Sequence, residues 1–123
     1  MVDYATLFDS QPSPADLRHA FDGVEADITY IDNTDTVRYF SPFRIFERPS
    51  SCLEQNVYDC HPDEVHDALS ALLDGFRSGQ RDTVTFDGVR KGARTVKVCY
   101  HAMRDPDGVY LGCMEVATYR DER

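Results

Sequence analysis

The sequence predicts an α+β fold: a five-stranded antiparallel sheet with short helices and one longer helix on one face, preceded by a flanking helix. Two observations predict it. Five β-rich runs are bounded by turn-forming residues, a pattern typical of antiparallel hairpins. Between the second and third runs, apolar residues recur at spacings of 4, 3 and 4, as in an amphipathic helix. A chain of 123 residues is long enough for one domain with its own core.

Residues 1–22 are interpreted as an N-terminal leader and flanking helix, and residues 23–123 as the main domain. Residues 1–13 mix apolar and polar types and read as a loose leader. Ser13 is suited to cap a helix that begins at Pro14, and Gly23 is suited to end it. We expect this helix to pack on the domain or on a partner subunit.

The remaining elements follow from local patterns. Residues 26–31 and 36–40 are predicted to form a hairpin, because Asp and Asn between them tolerate turns. Residues 41–59 contain two prolines and suggest short irregular helices. The longer helix is predicted from Pro62 to Arg77, with Gly79 as its stop. Three strands follow, at residues 83–87, 95–103 and 110–119.

The charge of the chain excludes some classes of partner. With 22 acidic and 13 basic residues the net charge is -9, which argues against a nucleic-acid partner. Sixteen of the acids are Asp, and only two cations are Lys, a skew typical of halophilic proteins. No run near 18 apolar residues and no signal-like segment is present, so we expect a cytoplasmic protein without membrane contact and with reduced thiols.

The tetrapeptide Asp59-Cys60-His61-Pro62 carries two reactive side chains at the predicted helix start. Thiolate and imidazole are favoured ligands of haem iron and transition metals, and a helix N-terminus would lower the pKa of Cys60. In the alternative interpretation, His61 caps the helix and Cys60 packs as a small hydrophobe. Haem or a metal held by Cys60 or His61 therefore stays open, and no other metal site is predicted.

The last two strands are predicted to form a hairpin closed around Pro106 and Asp107. Partner numbers would then sum to about 213, which places Cys113 opposite Tyr100 and makes a disulfide between Cys99 and Cys113 improbable.

The same alternation turns Glu115 inward, where a carboxylate needs a partner. Arg38 or Arg44 could supply it; at the sheet edge Glu115 would simply be solvated.

Motifs typical of enzymes are missing from the sequence. It contains no nucleophile elbow, Walker loop, H-E-x-x-H motif or paired-carboxylate arrangement, and we therefore do not expect an enzyme.

The order of elements and several short segments resemble the PAS domain family, over about residues 24 to 120. The segments are DITYID (27–32), VRYFS (37–41), RIF (44–46), RP (48–49), NV (56–57), CHP (60–62), FRSG (76–79), Tyr100, Ala102, RD (104–105), Gly108, YLG (110–112) and EV (115–116). The Cys-His-Pro element is most similar to a PAS subgroup often linked to hemerythrin-like domains, and the composition points to a halophilic archaeon. Two departures stand out. Glu54-Gln55 replaces a usual glycine, and the strand from residue 83 breaks at Asp87-Gly88.

The resemblance implies a sensory domain that binds a small ligand between sheet and helices and signals to a partner protein. It also implies a homodimer, formed through the flanking helix and the sheet. The expected ligand-binding residues are Tyr39, Phe40, Arg44, Cys60, His61, Tyr100 and Glu115. A small organic or anionic ligand would be anchored by Arg44 and Tyr39. The alternatives are a haem- or metal-based gas or redox sensor using Cys60 or His61, and a ligand-free dimerisation module.

Overall fold

The computed structural model describes residues 12–120, in which five strands form one antiparallel sheet in the order β2-β1-β5-β4-β3. The elements are α1 (Pro14–Asp22), β1 (Asp27–Asp32), β2 (Val37–Phe40), α2 (His66–Ser78), β3 (Thr83–Lys91), β4 (Arg94–Arg104) and β5 (Tyr110–Tyr119). Short 3₁₀ turns at Ser50–Cys52, Val57–Cys60 and Asp63–Val65 join β2 to α2. The predicted α+β fold is confirmed. Most of the predicted leader, residues 1–11, lies outside the described residues.

The flanking helix α1 forms as its capping residues predict. The Ser13 hydroxyl accepts a hydrogen bond from the Asp16 amide at 3.0 Å, and the Gly23 amide donates to the Ala20 carbonyl. No residue of α1 is buried, and Leu17 and Phe21 remain 46% and 41% exposed. Its apolar face is therefore only partly covered by the rest of the chain.

The helix α2 begins four residues later than predicted. Pro62 is extended (φ -64°, ψ 153°), and the 3₁₀ turn Asp63–Val65 separates it from the first residue of α2, His66. The φ that proline fixes suits an extended residue as well as a helical one, so proline alone does not locate the start. The end is as predicted, because Gly79 adopts a left-handed φ of +83°.

The strand β3 is longer than predicted, because a bulge interrupts it without ending it. Phe86 pairs with Val98 and Val89 pairs with Val96, so Asp87 and Gly88 together lie opposite a single residue of β4. Gly88 has a φ of +76°, which glycine adopts without steric cost. Pairing then continues to Lys91.

The register of β4 and β5 is shifted by two residues from the prediction. Cys99 pairs with Val116 and Tyr100 with Glu115, so partner numbers sum to 215 over most of the hairpin. The turn is wider than predicted because the Asp105 amide donates to the Val109 carbonyl at 3.0 Å. A shift of two residues leaves each side chain on its predicted face. Cys99 and Cys113 are both free, and Cys113 is fully buried.

The core lies between one face of the sheet and the helical segments. It contains Ile31, Val37, Val57, Leu73, Phe76, Val96 and Cys113, all at most 1% exposed. The candidate site lies beside this core.

Candidate functional site

A cavity of about 290 Å³ lies between α2, the 3₁₀ segment and the sheet. Apolar side chains from α2, β3, β4 and the segment after β2 form most of its wall: Phe46, Leu69, Leu72, Phe86, Val89 and Val98. Leu69 and Leu72 face it together because residues three apart lie on one side of a helix. An apolar wall of this kind with a few polar groups is typical of small-molecule sites.

The bulge in β3 determines which of its side chains line the cavity. In a regular strand, residues three apart point to opposite faces. The extra residue at Asp87-Gly88 restores Val89 to the face of Phe86, so both side chains line the cavity. The sequence shows the Asp-Gly interruption, but not that the strand resumes after it.

Glu115 and Tyr100 form the polar floor of the cavity. They are direct partners across β4 and β5, and the Tyr100 hydroxyl donates to Glu115 Oε2 at 2.9 Å. Glu115 is half-buried and lines the cavity. Burial raises the pKa of Glu115, against the opposing effect of the Tyr100 hydrogen bond.

Arg48 supplies a positive charge to the same cavity. It is half-buried, and its guanidinium donates to the carbonyl of the adjacent Glu47 at 3.2 Å. Within residues 12–120, no carboxylate lies within ion-pair distance of Arg48. Arg48 is not among the ligand-binding residues expected from the sequence. Its position next to Pro49, in a segment without periodicity, gave no signal for the direction of its side chain.

His61 lines the cavity in a defined tautomer. Its Nδ1 lies 2.9 Å from the Val57 carbonyl, which can only accept, so Nδ1 carries the hydrogen. Burial lowers the pKa of His61, which favours the neutral ring. Nε2 is then an acceptor available at the cavity wall.

Cys60 does not contribute to the lining of the cavity. Its Sγ lies 3.8 Å from the Cys52 carbonyl oxygen, next to the Cys52 thiol. The expected fall in its pKa is wrong: burial, together with the Cys52 thiol, raises the pKa of Cys60 to about 12. The cause is structural, because Cys60 ends a 3₁₀ turn and does not stand at the first turn of α2.

Arg44 and Phe40 lie away from the cavity. Arg44 pairs with the buried Asp27 at 2.7 Å and stacks over the Phe40 ring at 4.7 Å. Asp27 Oδ2 also accepts from the amides of Ile45 and Phe46, so this cluster fixes the segment after β2 to β1. The expected pairing of Glu115 with Arg38 or Arg44 is wrong, since Arg38 pairs with Asp32 at 2.7 Å.

Tyr39 lies on the opposite face of the sheet, against α1. Its hydroxyl donates to Asp22 Oδ1 at 2.8 Å, its ring is 6.1 Å from that of Phe21, and Arg18 stacks over it. Of the seven residues expected at the ligand site, the structure therefore brings three together at the cavity: His61, Tyr100 and Glu115.

Comparison with known proteins agrees with this architecture. A family model described as PAS domain matches residues 17–118. No curated protein matches the chain. A C-terminal domain from Streptococcus mutans is 26% identical, with a TM-score of 0.80 over 88% of this chain and 85% of that one.

Two more distant structures share the fold. A sensory box sensor histidine kinase from Vibrio cholerae is 11% identical, with a TM-score of 0.62 over 98% of each chain. The Aer2 receptor from Vibrio cholerae, described as a dual PAS-heme oxygen sensor, is 13% identical with a TM-score of 0.50, over 78% of this chain and 95% of that one. The chain belongs to the PAS domain family. Domains of this family are generally non-catalytic modules of sensing and signalling.

Neither helix within residues 12–120 has the length and apolar character needed to cross a membrane. The same residues contain no group of three or more His, Cys, Asp or Glu placed to hold a metal ion.

Proposed function

We propose that this chain is a sensory domain that binds one small ligand in the cavity between sheet and helices and signals to a partner protein. The observation that carries the proposal is the convergence of Arg48, His61, Tyr100 and Glu115 on one largely apolar cavity. The positive charge that anchors the ligand is then Arg48. The expected anchor, Arg44, is neutralised by Asp27. The proposal includes no catalytic step.

Native mass spectrometry with a matched pair of variants tests the proposal. Ala68 lines the cavity, whereas Ala71, also exposed on α2, does not. The protein isolated under native conditions, or incubated with a small-molecule extract of its own cells, should carry one small mass. Ala68→Phe should lose that mass and Ala71→Phe should keep it. A protein that takes up no small molecule, or an Ala68→Phe variant that retains it, would contradict the proposal.

The cavity does not fit haem. Its volume of about 290 Å³ lies at the lower end of small-molecule sites, and a porphyrin is much larger. His61 Nε2 could serve as an axial ligand, but Cys60 is outside the lining and its raised pKa opposes a thiolate. The absorption spectrum gives an independent test. When the purified protein is mixed with hemin, we expect no Soret shift; a shift that is lost in His61→Ala would contradict this.

We also propose that the chain forms a homodimer through α1 and the outer face of the sheet. A groove of about 910 Å³ lies between them, lined mainly by apolar residues: Leu17, Phe21, Val24, Ile28, Tyr30, Met103, Met114 and Val116. Leu17 and Phe21 are exposed there, and apolar patches of this kind mark protein contacts. Sedimentation analysis should find a dimer that Leu17→Glu dissociates, while Leu53→Glu, at another exposed leucine, should not.

A further inference from the structure

Two opposite charges line the cavity without meeting. Arg48 and Glu115 line the same cavity, and Arg48, like Arg44, opposes the rise in the pKa of Glu115 that burial causes. No ion pair joins them within the 4.0 Å that defines one. Charges enclosed together are normally paired, because desolvation without a partner is costly. A ligand placed between the two could pair both.

Each charge has bonding capacity to spare. Glu115 Oε2 accepts from Tyr100, and Oε1 has no donor among residues 12–120. Among the described residues Arg48 makes one hydrogen bond, to the neighbouring Glu47 carbonyl, although a guanidinium carries five N–H donors. The guanidinium geometry matches a carboxylate, and a free carboxylate oxygen matches an ammonium. His61 Nε2 adds a second acceptor on the same wall.

Resting on the proposed function, we infer that the ligand is a small zwitterion of amino-acid type with an apolar side chain. Its carboxylate binds Arg48, its ammonium binds Glu115, and its side chain lies against the apolar wall formed by Leu69, Leu72 and Val98. A cavity of about 290 Å³ suits a molecule of this size. The pairing also ionises Glu115, because a cation beside a buried carboxyl favours its charged form.

Isothermal titration calorimetry with three probes of one shape tests the inference. L-leucine carries both charges, 4-methylpentanoate only the carboxylate, and 3-methylbutylamine only the ammonium. L-leucine should bind about tenfold or more tightly than either single-charge probe, because each charged hydrogen bond contributes that much. Binding of either single-charge probe as tightly as L-leucine, or of none of the three, would overturn the inference.

Variants assign each charge to its residue. In Arg48→Gln, L-leucine should bind no better than 3-methylbutylamine does, and in Glu115→Gln no better than 4-methylpentanoate does. Arg90→Gln and Glu25→Gln remove the same charges from exposed positions and should leave the affinity unchanged. A melting curve of each variant separates a defect in binding from a defect in folding. An Arg48→Gln or Glu115→Gln variant that is folded and binds L-leucine normally would contradict the assignment.

Failure here and failure of the proposed function have different signatures. If no probe binds but Ala68→Phe still displaces the mass seen by native mass spectrometry, the cavity is a ligand site and only the zwitterion is wrong. If Ala68→Phe leaves that mass in place, the cavity itself is not the site.

Discussion

The surroundings of Cys60 hold its thiol in the protonated form. Burial and the neighbouring Cys52 raise its pKa to about 12, and the sulfur lies near a backbone carbonyl. The reactivity of cysteine depends on its thiolate. Of the two reactive side chains in the Cys-His-Pro segment, only His61 lines the cavity.

Thiol labelling checks this directly. Cys99 lies on the outer face of the sheet and is half-buried, while Cys52 and Cys113 are buried. At neutral pH a maleimide should modify Cys99 first, then Cys60, with Cys113 last, as followed by peptide mass spectrometry. Modification of Cys60 well before Cys99 would show that its thiolate is accessible.

Glu115 should make stability depend on pH in a defined direction. Its folded-state pKa is raised by burial, so the folded protein retains the proton at pH values where the unfolded chain releases it. Stability is then highest below the unfolded value, about 4.3, and falls as pH rises through the raised pKa.

The variant Glu115→Gln isolates this effect. Its amide oxygen can still accept from Tyr100, and it has no charge to bury. Its free energy of unfolding, relative to the wild type, should increase above pH 4 and level off beyond the raised pKa. Parallel stability curves for the two proteins would show that burial does not perturb Glu115.

Glu54 occupies a backbone conformation that suits glycine. Its φ is +65°, and its amide donates to the Val37 carbonyl at 2.7 Å. Glutamate there is strained, because left-handed φ brings Cβ close to the following carbonyl.

Replacing Glu54 should therefore stabilise the protein. Glu54→Gly is expected to raise the free energy of unfolding by about 0.5–1 kcal/mol, net of the greater flexibility of glycine in the unfolded chain. The ion pair between Glu54 and Arg38, which this change removes, is 3.9 Å long and exposed, so it contributes little. Urea unfolding measures the change, and Glu54→Ala, which keeps the strain, should give no gain. Equal stability of the two variants would argue against strain at this position.

At the scale of elements, Tyr39 connects α1 to the sheet. Expected at the ligand site, it instead donates to Asp22 and packs against Phe21. Alternation in β2 places the adjacent Tyr39 and Phe40 on opposite faces of the sheet, so it argues against a common site for the two, but it does not show which face borders the cavity. The sequence predicts which face a residue is on, but not what covers it.

Removing the Tyr39 hydroxyl should loosen this helix. In Tyr39→Phe, hydrogen exchange of the α1 amides should accelerate about fivefold, as expected for the loss of one hydrogen bond, while α2 is unaffected. Tyr119→Phe, at a tyrosine of β5 away from α1, serves as the control. Equal protection of α1 in both variants would show that Tyr39 does not hold the helix.

The boundaries that the sequence predicted well are those fixed by caps and turns. Ser13, Gly23 and Gly79 mark helix ends through their own backbone chemistry. Pro62 was misleading because its φ suits both a helix and an extended chain. The bulge in β3 depends on pairing with another strand, which local sequence does not encode. The wider turn is held locally, because the Asp105 carboxylate accepts from the amides of Asp107 and Val109.

At the scale of the whole molecule, charge dominates the surface. The chain carries 22 acidic and 13 basic residues, and the acids Asp63 and Asp74 are among the most exposed. Repulsion among like charges destabilises the compact state, and salt screens it. The fold follows from apolar periodicity, whereas this composition sets the conditions under which it is stable.

Melting temperature should therefore rise with salt. Between about 0.1 M and about 1 M KCl we expect a clear increase, because the screening length shortens from roughly 10 Å to 3 Å. The double variant Asp63→Asn, Asp74→Asn should show a smaller increase. A melting temperature that is independent of KCl would show that surface repulsion does not limit stability.

The turn after β4 has a consequence beyond its own shape. Its length sets which residue of β5 stands opposite Tyr100, and in this chain that residue is Glu115. A turn that slid the strands back by two positions would place the apolar Cys113 there without exposing any core face. Loop length at the rim of the sheet is thus a means by which related sequences could exchange the chemistry of the cavity while keeping its walls.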